Sequence, residues 1–155
     1  MVSSIIARMN NNQIDDLNKR VFDAVRELNL PIGHFAITSS GPIGVRGLRQ
    51  INDADIIVDN YLWSILVKEH KPETDNGLTK ITLSGGLVEV LGEGSFFSNY
   101  SPEDPTVEHQ IKTAEVIDCL PFVKLKFIRH FKEKLGREKD LKDIGIIDQY
   151  LAGKN

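Results

Sequence analysis

The sequence predicts an α/β (α+β) fold: a small mixed β-sheet with helices packed on one side, closed by C-terminal helices. Three observations lead there. Short β-branched runs alternate with segments whose apolar residues recur every three or four positions, "SGG" joins two of those runs as a hairpin connection, and the last third is helical in content but split at a glycine. A length of 155 residues fits one domain, 1–155, with an N-terminal helix 12–29, a core 34–100 and C-terminal helices 106–152.

Ile14, Leu17, Val21, Phe22, Val25 and Leu28 fall three or four apart, which predicts an amphipathic helix ended by "LPIG". "HFAIT" (34–38) reads as a strand entering the turn formers "SSGPIG". "GVRGLRQIN" reads as a short helix, weakened by Gly44 and Gly47, and 54–58 as the next strand. "NYLWSILVKEH" reads as a helix that Asn60 could cap, with Asp59 in a loop or capping role, and "KPETDNG" as a loop. Residues 79–83 and 87–91 form the hairpin strands, "SFFSNYSPEDP" has turn composition, and 106–117 is helical in content. Two last helices part at Gly136.

Composition narrows the function. No apolar run approaches the ~20 residues a bilayer span needs, and nothing at the N-terminus reads as a secretion signal, so a cytoplasmic location without membrane attachment is expected. The formal charge of −3 argues against a broad nucleic-acid-binding field. Cys119, the single cysteine, sits in "DCLPF" and reads as core. His34, His70, His109 and His130 show no zinc-ligand spacing, and Trp63 and Phe96-Phe97 read as packing residues.

The informative stretch is "INDADIIVD" (51–59). Side chains alternate along a strand, so Asp53 and Asp55 face the same way beside an apolar run. Two carboxylates so placed repel each other unless a cation lies between them, and hard divalent cations such as Mg²⁺ or Mn²⁺ prefer oxygen ligands. Glu89, in "LVEVL", is a third acid presented on a strand, and three carboxylates allow two cations ~4 Å apart to clamp a phosphoryl transfer. Glu93 competes for that role. Ser39, Ser40 and Gly41 form a Ser/Gly turn suited to an anionic phosphate. The bland alternatives are an acidic strand edge paired with Arg46 and Arg49, and a solvated helix face at Lys132, Arg137 and Lys139.

Taken in order, "ITSSG", "NDADIIV" and "LVEVL" resemble nucleotidyltransferases of the DNA polymerase β-like superfamily, and "HFKEKLGREKDLKDIGIIDQYL" is similar to the C-terminal segment of its small bacterial members. The resemblance covers roughly residues 34–151. It implies transfer of a nucleoside monophosphate from a nucleoside triphosphate to an acceptor. Asp53 and Asp55 would hold both metals, Glu89 the catalytic metal, and Ser39 and Ser40 the β/γ-phosphates. Lys132 falls at the family's helix lysine and is expected at the nucleotide, while Arg46 and Arg49 could equally neutralise phosphate or solvate the short helix. The acceptor, whether a small molecule, protein or RNA, is left open, as is a homodimer or other protein partner. Ser39 departs from the family's glycine, which keeps a second expectation alive: an inactive nucleotide-binding or toxin–antitoxin-type module of the same fold. A metal-dependent phosphohydrolase is the third.

Overall fold

A computed structural model describes residues 11–75, 77–92 and 101–154. Helix α1 (Asn11–Glu27) leads to β1 (Phe35–Thr38), a single helical turn α2 (Gly41–Gly44) and β2 (Ala54–Val58). Then come α3 (Asn60–Glu69), β3 (Glu73–Asp75), β4 (Leu78–Leu83) and β5 (Val88–Leu91). The chain ends with α4 (Val107–Lys112), β6 (Glu115–Ile117), β7 (Leu120–Phe122), α5 (Leu125–Leu135) and α6 (Glu138–Ala152).

The seven strands form one mixed sheet in the order β3-β4-β5-β2-β1-β7-β6, with β2·β5 and β1·β7 parallel and the other neighbours antiparallel. The α/β architecture with C-terminal helices is therefore as the sequence predicts. Helices cover both faces, however, not one. Phe35, Ile37, Ala54, Ile56 and Val58 point to α1 and α3, whereas Ala36 and Ile57 join Ile111, Ile128 and Ile147 of the C-terminal helices. Central strands buried on two faces read as continuous apolar runs, as "ADIIV" does.

Local chemistry explains the boundaries. Asp59, not Asn60, caps α3, its carboxylate accepting from the Leu62 N–H at 2.9 Å. Gly136 takes the left-handed conformation that ends α5. Asp140 accepts from the Arg137 N–H at 3.2 Å and so closes the first turn of α6. No helix among the described residues is long and apolar enough to cross a membrane.

Four local expectations need correction. The short helix lies at Gly41–Gly44, with Pro42 in its first turn, and 45–50 is a turn that places Gly47 at φ +69°. That loop is stitched by buried Asn18, whose amide donates to the carbonyls of Gly44 and Arg49 at 3.0 and 2.9 Å and accepts from the Ile51 N–H at 2.9 Å. "KPETDNG" contains the edge strand β3, paired with β4. The segment 106–117 is helical only over α4; its end is β6, joined to β7 by the two-residue turn Asp118-Cys119, both at positive φ. Cys119 is consequently exposed at a hairpin tip and not in the core.

This last correction yields a direct expectation. The native protein should react with one equivalent of a thiol reagent at a rate within about tenfold of the denatured chain, since access and not burial governs an exposed thiol. Protection that vanishes only on unfolding would return Cys119 to the core. Phe96-Phe97, Glu93 and the turn-rich stretch around them lie outside the described residues, apart from 101–105.

Candidate functional site

Strand register assembles the acids. Asp55 lies directly opposite Glu89 in the parallel pair β2·β5 and opposite Thr38 in the antiparallel pair β1·β2. One rung across three strands thus carries Thr38, Asp55 and Glu89 on a single face, and Asp53 stands two residues before Asp55 on that face. Asp53, Asp55 and Glu89 each offer an oxygen within 4.8 Å of the others. The three residues expected from sequence are therefore neighbours in space.

Their electrostatics follow from that closeness. Burial pushes the Asp55 carboxyl up from 3.8 to about 6, helped by the charges of Asp53 and Glu89 and opposed by a hydrogen bond from Ser39. Burial also raises Asp53, with Glu89 adding to the effect and Lys80 opposing it. Lys80, from the hairpin strand beside β5, reaches Glu89 at 3.1 Å, and this pairing holds its ammonium above the ordinary lysine value. One cation against three carboxylates leaves the cluster negative.

The donor set fits a hard divalent cation. Three carboxylate oxygens within 4.8 Å of one another are the hard oxygen ligands that Mg²⁺ or Mn²⁺ prefers, and one ion with metal–oxygen bonds of about 2.1 Å would draw them closer together. Beside the acids, the Thr38 hydroxyl is fully buried with no hydrogen-bond partner among the described residues, and Thr38 lines the same space.

That space is a cleft of ≈ 900 Å³, floored by the acids and walled by α5 and α6. Ser39, Ser40, Arg49 and Lys132 also line it. Ser39 sits at φ +54°, a left-handed conformation that favours glycine, and its hydroxyl is bonded to Asp55. Ser40 occupies the position before α2 and makes no side-chain cap. Gly41 is not part of the lining; it is buried, and a Cβ there would collide with the Ile37 side chain. A helix of four residues also carries little dipole, so a phosphate here would rely on side chains more than on α2.

The opposite wall is an ion network. Arg49 donates to both oxygens of Asp143 at 2.8 Å, Lys132 reaches Asp143 at 2.9 Å and Asp140 at 3.7 Å, and Arg137 bonds Asp140 at 2.6 Å. Burial pushes both aspartates up, but these cations outweigh it and hold both below the ordinary carboxylate value. Lys132 and Arg137 are thus more than a solvated helix face.

Sequence reasoning did not single out Thr38 or Lys80. The "SGG" hairpin carries the missing signal: its register sets Thr82 opposite Glu89 and so puts Lys80, two residues away, on the acid face. The chain matches no protein-family model, and no curated protein matches it by sequence.

Proposed function

We propose that this protein is a Mg²⁺- or Mn²⁺-dependent nucleotidyltransferase that moves a nucleoside monophosphate from a nucleoside triphosphate to an acceptor. The observation that supports this most is the convergence of Asp53, Asp55 and Glu89 on the floor of a cleft whose other wall presents Arg49 and Lys132. Acids to hold a cation and bases to hold phosphate face one another, the division of labour that phosphoryl transfer requires. A bound cation would supply charge neutralisation at the reacting phosphate. The residues do the rest by position: Ser39 orients Asp55, Lys80 orients Glu89, and Arg49 with Lys132 neutralises the departing pyrophosphate. In the transfer, the acceptor oxygen bonds to the α-phosphorus as the bond to the β-phosphate oxygen breaks. Pyrophosphate leaves with the electron pair, and the acceptor's proton passes to a carboxylate of the cluster.

One observation favours a nucleotide-binding module of the same fold without transfer activity. Ser39 keeps a side chain where the family resemblance has glycine, and its hydroxyl is already engaged by Asp55. Both readings place the protein in the cytoplasm, and the acceptor or protein partner is open in each.

Calorimetric titration of the nucleoside triphosphates with and without Mg²⁺, into the wild type and into Asp53→Asn/Asp55→Asn, tests the common premise. Binding that needs Mg²⁺ and disappears in the double variant is the expected result; a wild type that binds none of them sinks both readings. Transfer of α-labelled nucleotide to an acceptor then selects the enzyme over the module.

A further inference from the structure

Asp143 is 4% exposed, yet it carries a charge and accepts three charge-assisted hydrogen bonds from two elements far apart in sequence. Both oxygens face the guanidinium of Arg49, and one also takes the ammonium of Lys132. A bidentate carboxylate fixes the plane of a guanidinium as well as its place. Lys132, a point charge on a flexible stem, is immobilised between Asp143 and Asp140. Arg49 is secured at its backbone too, because buried Asn18 donates to its carbonyl at 2.9 Å.

Stability alone gives little reason for this arrangement. Desolvating two carboxylates and their partners offsets most of the Coulombic gain, and apolar residues of similar shape often serve a fold as well or better. The network also does not use up its cations. Of the five N–H groups of Arg49, two go to Asp143 and one to the Gln50 carbonyl at 3.0 Å, so two have no partner among the described residues. Arg49, Lys132 and Arg137 against Asp140 and Asp143 leave one net positive charge on a wall facing three acids.

We infer that Asp143 is a positioning residue that holds Arg49 and Lys132 as a rigid two-cation wall, and that this wall gives the cleft its preference for a nucleoside triphosphate over a monophosphate. The inference rests on the nucleotidyltransferase-fold reading above. Asp143 acts through the two cations and touches no substrate itself.

Asp104 supplies a matched control: its side chain is equally buried, with basic partners His130 at 2.6 Å and Lys134, but it does not line the cleft. The experiment measures Mg²⁺-dependent affinity for ATP and AMP, with melting temperatures, in the wild type, Asp143→Asn and Asp104→Asn. Asp143→Asn should lose about tenfold or more of the ATP-over-AMP preference, while Asp104→Asn keeps it despite a comparable loss of melting temperature. A preference unchanged in Asp143→Asn, or lost equally in Asp104→Asn, overturns the inference and leaves the function reading standing. A wild type that binds no nucleotide overturns both. Should Asp143→Asn fail to fold, Asp143→Glu keeps the charge but shifts it by one methylene; a preference at least about threefold weaker is expected, and a wild-type preference overturns the inference.

Discussion

Asp55→Asn is expected to make the metal-free protein more stable at pH 7 while lowering the proposed nucleotidyl transfer by at least about 10³-fold. The two effects share a cause. Asp55 is held among Asp53 and Glu89 with its carboxyl raised from 3.8 to about 6, so at pH 7 the fold carries a carboxylate in a place that disfavours its charge. Between those two values the folded chain keeps a proton that the unfolded chain has released. Stability is therefore greater with Asp55 protonated and falls as pH rises through about 6. Asp140 and Asp143 behave oppositely: their lowered values give stability that is present above 3.8 and lost as pH falls below it. Metal-free wild type should accordingly lose stability as pH rises from about 4 to about 6. Asp55→Asn should flatten the decline towards neutral pH and raise the melting temperature at pH 7 by about 3 °C or more. Saturating Mg²⁺ should flatten it in the wild type too. A variant less stable than wild type at pH 7, with no metal present, would show that the cluster carries no strain of charge and would remove the main electrostatic support for a cation site.

Much of this site was legible because its residues obey local rules. Alternation along "NDADIIV" puts Asp53 and Asp55 on one face, and "SGG" sets the β4·β5 hairpin that presents Glu89. The parallel pairing that sets Asp55 opposite Glu89 is a long-range event with no local signature; the sequence shows only that Glu89 is a third acid presented on a strand. Other misses divide by whether a signal existed. β3 was readable, since "DNGL" contains the Asn-Gly pair that favours a tight hairpin, and Asp75 does pair with Leu78. The β6·β7 turn was not, because nothing in Asp118-Cys119 announces two positive φ values, and an apolar "CLPF" invites burial. Lys132 and Arg49 were named for phosphate from pattern; that Asp143 anchors both depends on α6 folding back over a loop 94 residues earlier in the chain.

Gly41→Ala separates a glycine kept for packing from one kept for a ligand. The sequence places Gly41 in a Ser/Gly turn suited to phosphate, whereas the structure buries it at the start of α2 against β1, where an added Cβ meets the Ile37 side chain with the Phe22 ring behind it at 3.9 Å. Gly41 is not among the glycines with positive φ, so space and not backbone freedom is the constraint. Ile37 is 0% exposed on a central strand, and its branched side chain has little rotamer freedom with which to yield. Overpacking at such a contact costs about 3 kcal/mol, or about 6–12 °C in melting temperature for a chain of this size. The cost should be shared with the residue it strikes. Ile37→Ala alone loses about 2–5 kcal/mol, but combined with Gly41→Ala the loss should fall short of the sum by about 1 kcal/mol or more, because the deleted branch is the one in the way. If Gly41 served phosphate instead, Gly41→Ala would melt like the wild type and lose nucleotide affinity, and the double variant would show strictly additive stability.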